Sequence, residues 1–219
     1  MKYVIMCGGK YTAFKIPKQL SVVGGERLVD RTVRLLKEAG AEEIYITSND
    51  KRFDDCGAVR LKHKNSFKLI DKEVKGHWLD AFYPHFKDTD RVTYLYGDVW
   101  YTEEAINLIV NYKTDGNILF GTSAAKNEQH QNWGEPFAYI VSDYKTFMDG
   151  IRAVNQMQDE GTLKRPAITW ELYRYLNGLD VNRQEVLDDT YVVIDDGTID
   201  IDNPVQIERL NKRIMGDKN

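Results

Sequence analysis

The chain alternates between two kinds of segment. Short runs rich in β-branched and aromatic residues are followed, through brief polar links, by longer stretches with helical spacing of apolar residues. "KYVIMC" at 2–7 is a run of the first kind and leads into the glycine pair Gly8-Gly9. "RLVDRTVRLLKEAG" is of the second kind. It puts Val29, Val33 and Leu36 on one helical face, with Leu28, Leu35 and Ala39 beside them, and Gly40 is a natural cap. Strand-like runs recur at 42–50, 58–63 and 91–100, the last breaking at Gly97-Asp98, and again in "NILFGTSA" and "PFAYIVSD". Helices are predicted in "HWLDAFYPHF", ending near Pro84, in "TEEAINLIVNYK" behind an N-cap at Thr102, in "YKTFMDGIRAVNQM" and in "PAITWELYRYLNGL". The remainder reads as a strand, a polar turn and a short helix after Pro204. Such a rhythm predicts an α/β fold with a mostly parallel sheet. Neither an internal repeat nor a low-complexity linker divides it, so 1–219 is expected to be a single domain. The polar stretch 121–136 is long for a loop and reads as a lid or substrate wall.

Composition narrows the classes of function. The 219 residues can bury one substantial core, and 42% hydrophobic with 29% charged residues marks a globular chain and not a disordered one. A net charge of −4 argues against a general nucleic-acid binder, which needs a broad basic surface. A local lysine cluster in an acidic protein suggests instead a small anionic ligand. Cys7 and Cys56 are too few for a disulfide framework or a zinc site. No run is apolar enough to span a membrane, and the apolar start is too short for a secretory signal, so the expected location is the cytoplasm.

In open α/β sheets ligands bind at the carboxyl ends of the strands. That rule selects Gly8–Lys18, Ser48–Asp50, Gly97-Asp98 and Asp200–Asn203. Gly8 and Gly9 could offer successive N–H groups to phosphate oxygens, or could form a plain strand-to-loop turn. Lys18 follows the stiffening Pro17 and is a candidate point charge for a phosphate; Lys10 and Lys15 taken alone read as solvated lysines. Asp98 is either a Mg²⁺ ligand facing the crevice or the start of an Asx turn. Period two puts Asp200 and Asp202 on one strand face, ahead of a helix that starts at proline. His63, His77, His85 and His130 show no metal-ligand spacing.

Taken together, "MCGG…IPKQLSVVGGERLVDRTVRLLKEAGAEEIYITSND" resembles the N-terminal signature of nucleotidyltransferases that make activated sugars and alditols. Relatives of this kind include CTP:phosphocholine, methylerythritol-phosphate and sugar-1-phosphate nucleotidyltransferases. The resemblance runs through Gly8-Gly9, Pro17-Lys18, the helix start at Gly25–Leu28, Gly97-Asp98 and "IDNPVQIE" at 201–208, in order and over nearly the whole chain. "GHWLDA" at 76–81 is similar to the family's base-reading segment, with His77 where the family has threonine, so a base preference does not carry over. The family's glycine loop carries an arginine that grips the triphosphate. "GGKYTAFKIPK" has none, and Lys10 or Lys15 is the available replacement.

The resemblance implies a Rossmann-like fold of the nucleotide-diphospho-sugar-transferase type. It implies transfer of a nucleoside monophosphate from an NTP to a phosphorylated sugar, alditol or choline-like acceptor, with release of pyrophosphate. CTP is the expected nucleotide, because the short chain suits the cytidylyltransferase relatives. Lys18, Asp98 and Asp202 are the expected catalytic residues, with Asp98 and Asp202 on Mg²⁺. Cys7, Gly8, Gly9, Lys10, Lys18, Ser48, Asn49, Gly76 and Gly97 are expected at the nucleotide. Trp133 and Glu135, in the polar stretch, are expected at the acceptor. No nucleic-acid or membrane partner is expected, and homodimerisation is left open. Two alternatives stand beside this reading: a glycosyltransferase of related fold using a nucleotide-sugar donor, and a non-catalytic nucleotide-binding module.

Overall fold

A computed structural model describes residues 1–8, 14–64, 66–70, 73–82, 86–87, 90–123 and 134–216. Strand β1 (Lys2–Met6) lies inside the main sheet. It pairs in parallel with β4 (Glu43–Thr47) on one side and β8 (Val92–Tyr96) on the other, so that Ile5 stands opposite both Ile46 and Leu95. β5 (Val59–Leu61) extends the sheet beyond β4. On the β8 side follow β11 (Pro136–Val141), β10 (Ile118–Gly121) and β12 (Tyr191–Val193), giving seven strands in the order β12-β10-β11-β8-β1-β4-β5. Only β11 runs against its neighbours, so the sheet is mostly parallel, as expected.

Alternation along the strands divides the core between the two faces. Ile5, Leu95, Phe120 and Ile140 face a layer with Val29, Val33 and Leu36 of α1 (Leu28–Glu38) and Ile106 and Ile109 of α2 (Glu103–Asn111). Val4, Tyr94, Leu119 and Tyr139 face a second layer. It holds Phe147, Ile151 and Val154 of α3 (Tyr144–Asp159) with Trp170, Leu172 and Tyr173 of α4 (Thr169–Leu176). The helix termini follow local chemistry. Thr102 accepts the Ala105 N–H at 3.0 Å, and α1 closes through Gly40 and Ala41, whose N–H groups bond Lys37 and Leu36.

Three small features depart from the sequence reading. Val22-Val23 (β2) and Glu26-Arg27 (β3) form a hairpin across Gly24-Gly25, both at positive φ, as a two-residue turn requires. A second hairpin joins β6 (Lys68–Ile70) to β7 (Glu73–Lys75). Of the segment expected as a helix at 77–86, the described residues hold a 3-10 stretch, Trp78–Phe82, with Leu79 and Phe82 buried. Their three-residue spacing suits that tighter winding.

A separate two-stranded sheet follows β8 in the chain. β9 (Val99–Trp100) pairs antiparallel with β13 (Ile199–Asp200). The helix α5 (Pro204–Gly216) packs Leu210 with Val23, Leu28 and Ile201. Among the described residues no helix is long and apolar enough to cross a membrane.

Candidate active site

The pairing of β13 with β9 brings remote carboxylates together. The N–H of Ile201 donates to the Asp98 carbonyl at 3.0 Å, which sets Asp200 and Asp202 on either side of that contact. Lys18 reaches the same point from a short 3-10 turn behind Pro17. Its Nζ lies 2.6 Å from Asp98 Oδ2 and 3.4 Å from Asp202 Oδ1. Burial works against the ammonium, yet the acids Asp98, Asp200 and Asp202 outweigh it and hold Lys18 above its ordinary value. Enclosure on the floor of the cleft, followed by the charges of Asp98 and Asp202, pushes the Asp200 carboxyl well above the usual carboxylate range. A protonated Asp200 also has the proton needed for its hydrogen bond with Asp202.

These acids line a cleft of about 440 Å³ together with Gly8, His63 and Glu135. Leu79, Phe82, Ile168 and Trp170 give it an apolar wall, and Arg165 adds a cation from the α3–α4 connection. A second cleft, lined by Cys7, Gly8, Pro17, Ser48 and Asn49, shares Gly8 and His63 with the first.

The expected site residues fall into four groups. Lys18, Asp98 and Asp202 meet at one point, and Gly8 and Glu135 line the cleft beside them. Cys7, Ser48 and Asn49 line the second cleft, although their local bonds also hold the fold. The Cys7 N–H donates to Thr47, Ser48 Oγ accepts the Asp50 N–H, and the Asn49 amide pairs with both the N–H and the carbonyl of His63. Gly97 and Gly76 serve close packing. A Cβ on Gly97 would sit 2.6 Å from the Met6 carbonyl, and one on Gly76 would sit 2.3 Å from that of Ser66. Gly76 is absent from the cleft lining, whereas Trp78, two residues on, belongs to it. Gly9, Lys10 and Trp133 lie outside the described residues.

Sequence reasoning missed Arg165, Trp170 and Thr169, whose hydroxyl shares a hydrogen bond with that of Tyr96. The available signal was Glu171, an acid within the apolar run "ITWELYRYL". It also left Asp200 without a role.

The donors around Lys18 are carboxylate oxygens, the hard ligands that Mg²⁺ takes. Asp98 and Asp202 are both within reach of one ammonium, so their spacing suits an ion that binds one or two carboxylates plus phosphate oxygens. Among the described residues no group of three or more His, Cys, Asp or Glu side chains is placed to hold a metal. A metal here would therefore depend on substrate oxygens as well.

Residues 3–165 match the MobA-like NTP transferase domain. The structure is similar to that of a Bacillus anthracis protein assigned as a glucose-1-phosphate thymidylyltransferase, solved in complex with a sucrose. The TM-score is 0.63 at 15% identity, covering 97% of this chain and 94% of that one. The chain thus belongs to the MobA-like NTP transferase family and is a nucleotidyltransferase.

Proposed function

We propose that this nucleotidyltransferase moves a nucleoside monophosphate, from CTP by preference, onto a phosphorylated sugar, alditol or choline-like acceptor, and that 1–219 acts as one domain. The observation that carries this reading is the meeting of Lys18 with Asp98 and Asp202, two of the acids that line the cleft. An oxygen of the acceptor phosphate attacks the α-phosphorus in line. The new O–P bond forms as the bond from the α-phosphorus to the bridging oxygen breaks, and pyrophosphate leaves with that electron pair. Such a step needs alignment and charge neutralisation more than covalent catalysis.

Lys18 neutralises charge as it grows on the α-phosphoryl oxygens. Gly8 lets the backbone approach the phosphates, and Arg165 takes the acceptor's phosphate as a planar fork. Glu135 accepts hydroxyl hydrogen bonds of the acceptor or pairs with a cationic head group. Mg²⁺, held by Asp98 and Asp202, would supply further neutralisation of the triphosphate.

The test is pyrophosphate release with each of the four NTPs against phosphorylated alditols, sugars and choline. Turnover with CTP and one acceptor class is expected. Preference for another NTP would correct the nucleotide, and failure of every pair would overturn the reading.

A further inference from the structure

Glu171 is a buried acid in the first turn of α4. Its neighbours Trp170, Leu172 and Tyr173 are buried apolar residues, and its own side chain is only 4% exposed. Its partner Arg174 is equally buried, 3.5 Å away, with its guanidinium over the Trp170 ring. Buried ion pairs are poor stabilisers, because apolar residues of similar volume often serve the fold as well. One carboxylate oxygen serves the helix itself, since Oε2 accepts the Ile168 N–H at 3.0 Å and caps α4. The other does something a cap does not need. Oε1 accepts from Nε of Arg165 at 2.9 Å.

Arg165 belongs to the irregular connection between α3 and α4, and its backbone is pinned on both sides. The Lys164 N–H donates to Asn182 at 2.8 Å and the Ala167 N–H donates to Gln158 at 2.8 Å. Its side chain stays 36% exposed and lines the cleft that holds Asp98, Asp200 and Asp202. A phosphate entering among these acids meets repulsion unless a fixed cation offsets it. Holding a long side chain in advance removes the entropy cost of ordering it on binding.

We infer that Glu171 is a positioning residue: fixed by Arg174, it holds the Arg165 guanidinium at the angle in which it receives the acceptor's phosphate. This inference rests on the nucleotidyl-transfer reading above. The test is a cycle of Arg165→Met, Glu171→Gln and the double variant, with acceptor and NTP KM measured separately. Each single variant is expected to raise acceptor KM about tenfold with NTP KM unchanged. The double variant is expected to be no worse than Arg165→Met alone. An unchanged acceptor KM in Glu171→Gln, or effects that add, would overturn the inference. Should Glu171→Gln fail to fold, Arg165→Lys decides. That variant keeps the charge and loses the Nε contact, so it should resemble Arg165→Met; wild-type acceptor KM would show that charge alone suffices and would overturn the inference. Should no NTP and acceptor pair turn over, calorimetric titration with inorganic phosphate separates the two ideas. Weaker phosphate binding in Arg165→Met and Glu171→Gln than in the parent sustains the inference, whereas equal or absent binding overturns it.

Discussion

On the proposed mechanism Lys18 would do for the reaction what it does for the resting site, where it offsets carboxylates that crowd one another. Its replacement should therefore be felt twice. Lys18→Met is expected to lower kcat on the order of 100-fold, as loss of one preorganised donor does, with a smaller change in NTP KM. Steady-state kinetics at saturating acceptor would show it, and wild-type kcat would remove Lys18 from the chemistry. The second effect concerns stability. The ammonium is held above its ordinary value, so its pairing stabilises the fold below about pH 10.4 and that contribution is lost only as pH rises through the raised value. The variant should accordingly melt lower at pH 7. That Lys18, Asp98 and Asp202 would meet was legible in the sequence, because Lys18 follows a proline and the two acids lie within two residues of strand ends. The place of Arg165 in the cleft was not, because its side chain is held by Glu171 across a turn, and nothing in "GTLKRPAIT" marks that contact. Gly97 was legible as special, but its glycine answers to the backbone of β1 beneath it.

Helix α3 carries much of the polar contact to the segment around Trp78. Asn155 donates to Asp80, Gln158 donates to the Gly76 carbonyl, and Asp159 meets the His77 ring at 2.8 Å. The start of that helix depends on Asp143, whose carboxylate accepts the Thr146 N–H at 2.9 Å and the Thr146 hydroxyl at 2.6 Å. Asp143→Ala should cost about 1 kcal/mol, whereas Asp143→Asn should cost little at neutral pH. The side-chain and then the backbone bond from Thr146 hold the carboxyl below its usual value. The charged cap thus stabilises the fold above about pH 4, and this contribution is lost as pH falls through the lowered value. Urea unfolding of the three proteins at pH 7 and pH 3 would check this: the gap between wild type and Asp143→Ala should narrow at pH 3. The helices were readable because each combines an apolar stripe with terminal signals. The reversed direction of β11 was not. "PFAYIV" is apolar on both faces, as a strand of either direction inside this sheet can be, and direction is set by the connection and not by the run itself. The hairpin β2–β3 escaped notice because two-residue strands leave no periodicity to read.

At the scale of the molecule, the site is closed by parts far apart in the chain. Lys18 and Asp202 are 184 positions apart, and the family match at 3–165 ends before Asp200 and Asp202. Among the described residues, none of the seven strands of the main sheet lies beyond β12, so the sheet is complete before β13 is reached. A chain cut to 1–198 should keep the circular-dichroism spectrum of an α/β protein, melt lower for want of Ile201 and Leu210, and release no pyrophosphate. Activity retained in that fragment would remove Asp202 from the chemistry. Synthesis on the ribosome runs in the same direction. A nascent chain can assemble its scaffold while Lys18 still has only Asp98 to balance, and the clasp of Asp200 and Asp202 arrives afterwards. On the proposed mechanism, catalytic competence is thereby tied to reading the message beyond the codon for Asp202. A product terminated before that point would be a folded protein without the means to consume nucleotide.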